Sequence, residues 1–236
     1  MRNKYLFLMV LGAVLALGFA ACQPQDEPTP PTNEEVDRAK LKALDEKFAS
    51  EWTADERAAA SNASSLKYLN EVEKEVFFYL NLMRTDPPRF ARTYAAEYNG
   101  DTGWEKGYAF DERKQNLLEE LKELEPLPLL NPDGGLYDSA DCFATQGGAL
   151  GVIGHDRTGT TCEAIDPAMA ECCDFGNCAT GFAVVMHFLI DAGETNGRLG
   201  HRRILLDGRL VRMGVAVRDH ITYQKIAVLD FKTAEK

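Results

Sequence analysis

The first thirty-three residues decide how much of this chain is left to fold. From residue 5 to residue 21 no side chain is charged and most are apolar; Arg2 and Lys4 precede the run and Leu17-Gly18-Phe19-Ala20-Ala21 closes it. A charged start, an apolar run and small residues at its end form the pattern of a secretory signal, which the mature protein loses. The run also reaches the lower edge of a spanning helix, about 17–25 residues, so length alone leaves an anchor open. After Cys22 the eleven residues 23–33 hold four prolines. A segment of that composition is extended and builds no core, so it reads as a tether. About 200 residues then remain, enough for one domain with a sizeable core.

The chain carries 26 Lys and Arg against 37 Asp and Glu, a net charge of −11. Losing residues 1–21 removes two positive charges and no negative ones, which leaves −13. Phosphate binding needs a surplus of Lys and Arg, so nucleic acid is excluded as a sequence-independent partner. No short-period repeat or sustained heptad occurs, which rules out collagen-like and long coiled-coil folds.

Ala20-Ala21-Cys22 resembles a bacterial lipobox. The resemblance implies cleavage before Cys22, diacylglycerol on its sulfur and a membrane partner reached through that lipid. Gln23 rather than Asp after Cys22 implies an exported, outer-membrane lipoprotein. A plain signal peptide followed by an incidental Cys stays open on the residues alone.

Exported cysteines default to disulfides, and Cys142, Cys162, Cys172, Cys173 and Cys178 are the candidates. Five can form at most two internal bridges and leave one thiol. Adjacent Cys172 and Cys173 are not expected to bond each other. A zinc site drawn from Cys162, Cys172, Cys173 and Cys178 is the alternative, although the spacing matches no standard knuckle.

Residues 34–60 place Leu41, Leu44, Phe48 and Trp52 at intervals of three and four, which predicts a thin amphipathic helix. Asn62-Ala63-Ser64-Ser65 breaks it, so 34–65 is expected to be a helical linker and 66–232 the domain. Leu69, Val72, Val76, Leu80 and Met83, spaced by three and four, give a second helix, with Asn70 and Glu73 as a capping box. Pro87-Pro88 ends that helix, and Thr85 or Asp86 caps a short one reaching about residue 98. Helices follow over 113–124, 135–150 and 182–190, and 151–181 reads as loop. The strands 213–217 and 221–231 pair around Arg218-Asp219-His220. Helices before a terminal hairpin make the fold class α+β.

Four histidines are present. His155 and His201 each follow a Gly in a polar stretch, and Cys162-Glu163-Ala164-Ile165 lies between them. Imidazole and carboxylate together bind a divalent metal or act as an acid–base pair. On the residues alone, each His fits better as a turn residue whose imidazole caps a loop. His187 lies in an apolar helix and reads as a hydrogen-bonded core residue; His220 reads as exposed in the hairpin. The chain contains no Gly-x-Ser-x-Gly elbow, P-loop or His-Glu-x-x-His.

The order of the pieces is more specific than any one of them. Glu75-Val76-Phe77-Phe78-Tyr79-Leu80-Asn81-Leu82-Met83-Arg84-Thr85-Asp86-Pro87 resembles the first helix of bacterial CAP-superfamily domains, the family of cysteine-rich secretory proteins, antigen 5 and pathogenesis-related-1 proteins. Leu130-Asn131-Pro132 with the helix over 136–149 resembles the second helix, and Gly154-His155-Asp156 the histidine after it. Cys162-Glu163-Ala164-Ile165 stands where the family has Gly-Glu-Asn. Gly200-His201-Arg202-Arg203-Ile204-Leu205-Leu206 resembles the second histidine motif. Met213-Gly214-Val215-Ala216 and Val228-Leu229-Asp230-Phe231 resemble the closing strands.

The resemblance spans about residues 66–232. It implies a three-layer α/β/α sandwich with two His and two acids facing a cleft able to hold zinc or magnesium. Carried over, those residues are His155, Glu163, His201 and an acid in the segment 187–194, with Asp191 before Glu194. The function it implies is binding of an extracellular lipid, sterol or polymer ligand in that cleft, with or without the ion. No nucleophile beyond a free Cys is in sight, so binding is favoured over a metal- or His/Glu-dependent hydrolase, and a non-catalytic cell-surface interaction protein is the third alternative.

Overall fold

The computed structural model of the chain describes residues 32–100, 109–176, 179–192 and 199–234. The signal, Cys22, most of the tether, Cys178 and Glu194 lie outside the described residues.

Two capping boxes divide the first helical region. Thr32 and Glu35 open α1 (Asn33–Phe48), and Thr53 and Glu56 open α2 (Ala54–Ala60) after a tight turn at Ala49–Glu51. Thr53 is extended, so the single helix expected over 34–60 is interrupted there. Nor is this region a linker. Leu41, Trp52, Ala60 and Ala63 belong to the main core, and Asp45 accepts hydrogen bonds from the hydroxyls of Tyr79 (2.9 Å) and Tyr94 (2.8 Å). No boundary falls near Leu66, and residues from Thr32 onward form one compact unit.

The expected Asn70–Glu73 box caps α3 (Glu71–Thr85), which Asp86 ends while capping α4 (Pro87–Phe90). A wide turn at Ala91–Ala95 follows. Two polar residues on the buried side of α3 tie it to distant loops. Asn81 donates to Leu130 O (3.1 Å) and accepts from Leu130 N (2.8 Å). The Arg84 guanidinium donates to the carbonyls of Pro128, Leu205, Asp207 and Leu210.

The remaining elements are α5 (Phe110–Glu123), β1 (Asn131–Pro132), α6 (Gly134–Leu150), β2 (Ala170–Gly176), α7 (Gly181–Ile190), α8 (Gly200–Leu205), β3 (Leu210–His220) and β4 (Gln224–Thr233). Strands are ordered β1-β3-β4-β2; β1 runs parallel to β3, and the other pairings are antiparallel. Mixed helix and sheet, with a C-terminal hairpin, agrees with the α+β expectation. Alternation along the strands divides the core. Ala216, Val228 and Cys173 pack with Ala140, Phe143 and Ala144 of α6. Val215, Val217, Ala227, Leu229 and Cys172 face the larger core that includes α3 and α7.

Two expectations change in this region. The stretch 151–181 holds β2, an edge strand paired with β4 over seven residues. The hairpin turns at Ile221-Thr222-Tyr223, so Arg218, Asp219 and His220 are still in β3. His220 is buried there rather than exposed: its Nε2 donates to Val152 O (3.0 Å) and its Nδ1 accepts from Thr222 N and Tyr223 N (both 3.1 Å). Among the described residues, no helix is long and apolar enough to cross a membrane.

Candidate functional site

The chemistry gathers on β2 and on the loop leading to it. Residues alternate across a strand, so Glu171 and Cys173 project toward α6 whereas Cys172 and Asp174 project toward α7. The preceding loop is pinned to α6 by the Cys142–Cys162 disulfide and by Gln146, which exchanges hydrogen bonds of 2.8 Å with the backbone and hydroxyl of Thr161. That loop delivers His155 and Arg157 to the Glu171 carboxylate.

His155 Nδ1 lies 2.8 Å from Glu171 Oε1, and the other carboxylate oxygen is bonded by Arg157 Nη2. Arg157 is itself held: Nη1 donates to Ser139 Oγ and to the Glu163 carbonyl, and its guanidinium stacks over Phe143. The Cys173 sulfur stands 3.6 Å from both His155 Nδ1 and Glu171 Oε1. The Glu171 side chain is 2% exposed and that of His155 50%, so the cluster opens to solvent on its imidazole side. Burial alone raises the pKa of Glu171, but the hydrogen bonds and positive charge of His155 and Arg157 outweigh it and hold the carboxyl below its ordinary value. Burial pushes the thiols of Cys172 and Cys173 well up, and the carboxylates nearby push further.

A second pair joins α7 to α8. Asp191 has left-handed backbone (φ +57°), and its carboxylate accepts from His201 Nδ1 (2.9 Å) and from the His201 N–H (3.1 Å). Buried Arg202 reinforces the junction by donating to the carbonyls of Leu189, Ile190 and Arg113. A third pair, His187 Nδ1 with Asp174 Oδ2 (2.7 Å), bridges α7 and β2, which fits the core role expected of His187.

The two histidines expected to share one cleft each bond a different acid. His201 meets Asp191, the favoured acid of its segment. His155 meets Glu171, while Glu163 is exposed on the loop and contributes only its carbonyl oxygen. Among the described residues, one group of three His, Cys, Asp or Glu side chains brings its donor atoms within 4.8 Å of one another: His155, Glu171 and Cys173. Cys142 and Cys162 form the disulfide; Cys172 and Cys173, on opposite faces of β2, are buried free thiols.

Glu171 escapes sequence reading, and Cys173 is read there only as a disulfide or all-cysteine zinc candidate, because Ala-Glu-Cys-Cys-Asp-Phe-Gly contains no β-branched residue to mark a strand. The signal that was present is their spacing of two, which becomes meaningful only once the segment is known to be extended.

No family profile matches the chain, and no curated protein matches it. Among solved structures it is similar to an outer surface protein from Borrelia burgdorferi, at 19% identity and a TM-score of 0.34, over 58% of this chain and 98% of that one. A likeness that slight assigns no activity.

Proposed function

We propose that this chain is an exported, outer-membrane-anchored lipoprotein of CAP type whose domain binds an extracellular lipid or sterol. The CAP reading is supported by where the resembling segments fall. Residues 75–85 lie in α3, 136–149 lie in α6, 200–205 form α8, and 213–216 and 228–231 lie in β3 and β4. These elements pack around one sheet with helices on both faces, the arrangement a three-layer sandwich needs.

The observation that carries ligand binding is a set of exposed apolar side chains at the end of α6, on the loop before His155 and on the hairpin turn bonded to α6. Leu150, Ile153, Ile221 and Tyr223 are exposed at 56%, 61%, 72% and 41%. The hairpin turn is bonded to the end of α6 through Ile221 N and Gly148 O (3.1 Å), and Ile153 lies two residues before His155. Clustered exposed apolar side chains of this kind mark binding surfaces, and they favour a lipid or sterol over a polymer. Titrating the mature protein with a fluorescent fatty acid and a fluorescent sterol tests this. Saturable binding that Ile153→Asp and Ile221→Asp abolish, with the fold retained, is the expected result; wild-type protein that binds neither probe refutes the reading.

The Asp191–His201 pair favours a second reading, a hydrolase. A carboxylate on Nδ1 orients an imidazole and fixes its tautomer, as general-base histidines require. Turnover of an ester or peptide panel that disappears in folded His201→Ala decides for it.

A further inference from the structure

We propose that His155 Nδ1, Glu171 Oε1 and Cys173 Sγ form a three-donor zinc site with its fourth position open to solvent. This donor set differs from the His155, Glu163, Asp191 and His201 set that the sequence suggests, and it is independent of the lipid-binding reading.

The separations carry the argument. With zinc–sulfur bonds of about 2.3 Å and zinc–nitrogen or zinc–oxygen bonds of about 2.0–2.1 Å, tetrahedral donors stand about 3.5 Å apart when one is sulfur and about 3.3 Å apart otherwise. Cys173 Sγ lies 3.6 Å from each of the other two atoms, so both sulfur edges already have the required length. The third edge, 2.8 Å between His155 Nδ1 and Glu171 Oε1, is a hydrogen bond. It must open by about half an ångström to admit the ion. The half-exposed imidazole has room to swing by that much.

The surroundings suit the ion. Arg157 holds Glu171 by Oε2 and leaves Oε1 toward the thiol, so the carboxylate enters as a one-oxygen ligand already oriented from outside, as ligands of metal sites commonly are. The thiolate and the Glu171 carboxylate together balance the two charges of zinc. Binding displaces the Cys173 proton to solvent, while the imidazole proton moves from Nδ1 to the outward Nε2. A thiol that burial and a neighbouring carboxylate keep protonated in the metal-free protein gains in zinc the cation its anion lacks. Thiolate with imidazole selects zinc over magnesium, which takes oxygen ligands. The open fourth position is that of sites where zinc holds water or a ligand atom.

Zinc and cobalt(II) titrations of the demetallated mature protein test the assignment. Wild type takes up a single zinc, and cobalt(II) gives a thiolate-to-cobalt charge-transfer band in the near ultraviolet. Cys173→Ser loses the band, and Cys173→Ser, Glu171→Gln and His155→Ala each weaken zinc by about 100-fold or more. His201→Ala leaves both readouts as in wild type. Wild-type protein without tight zinc or without the band overturns the proposal, even if Cys173→Ser should fail to fold. So does a His201→Ala protein that loses zinc while Cys173→Ser keeps it.

Discussion

Glu171 of β2 and Asp230 of β4 stand directly opposite one another across the sheet, and both carboxyl groups are buried. Like charges in that position oppose strand pairing. Arg157 answers them unequally: Nη2 bonds Glu171 and lies 3.6 Å from Asp230. Glu171 therefore stays ionised. Burial, with the charge of Glu171 added, pushes the Asp230 carboxyl up to about 7. One strand pair thus holds an anion and, below neutrality, a neutral acid.

That inequality predicts a pH dependence for the metal-free protein. The unfolded chain releases the Asp230 proton near 3.8, whereas the folded protein keeps it to about 7. Between those values the folded state binds more protons, so stability falls as pH rises through the window and levels off above it. Glu171 acts in the opposite sense at lower pH, its contribution being lost as pH falls below about 4.5. Asp230→Asn removes the ionisation and flattens the first slope. Urea unfolding at pH 8 is expected to find this variant more stable than wild type by about 1–3 kcal/mol, with a small difference at pH 5. Equal loss of stability at both values contradicts the assignment.

Gly214 sets how closely α6 approaches the sheet. A Cβ there would lie 2.1 Å from Tyr137 N and 2.2 Å from the Leu136 carbonyl carbon, both backbone atoms. Backbone cannot swing aside as a side chain would, so Gly214→Ala must lift α6 from β3. The expected cost is about 3 kcal/mol in chemical denaturation. Gly134, whose Cβ position has nothing within 4 Å, is the control: Gly134→Ala leaves stability nearly unchanged.

The Cys142–Cys162 disulfide ties the His155 loop to α6 across a sequence separation of 20. A crosslink of that span stabilises by about 3 kcal/mol, chiefly by restricting the unfolded chain. The Cys142→Ser, Cys162→Ser double variant should lose roughly that amount. It should also show faster hydrogen exchange at residues 155–162 than in β3 and β4. Uniformly faster exchange instead indicates that the bridge supports the whole domain and does not act chiefly on this loop.

Helices with a clear apolar period and a cap were legible in the chain, as were the hairpin strands. α3 shows Val76, Leu80 and Met83 behind the Asn70–Glu73 box, and β3 and β4 carry Val, Ile and Leu at alternate positions. What stays hidden depends on partners distant in sequence. β2 is a strand because β4 pairs with it over seven residues, and its own composition argues for loop. The acid beside His155 is consequently Glu171, reached through tertiary pairing, although Glu163 is nearer in sequence. The break at Thr53 was written as Thr-x-x-Glu, but the spacing of Leu41, Leu44, Phe48 and Trp52 runs past it and conceals it. His220 reads as exposed because nothing local reveals that Val152 O will meet it.

Asp191 combines two requirements that separate substitutions can divide. Its backbone is left-handed, at φ +57°, and its carboxylate binds both the ring and the N–H of His201 at the start of α8. Asn accepts left-handed backbone and keeps an oxygen for one of those bonds, so Asp191→Asn should retain most of the stability. Asp191→Ala loses both bonds and, without a polar side chain to bond locally, bears the full left-handed penalty of about 1–2 kcal/mol. With the cap lost as well, it should fall about 2 kcal/mol or more below wild type. Asp191→Gly relieves the backbone and loses only the bonds, so it should lie between the two. If Asn, Gly and Ala prove equally destabilised, the negative charge of Asp191 is what joins α7 to α8; the ordered series assigns that task to backbone conformation and capping.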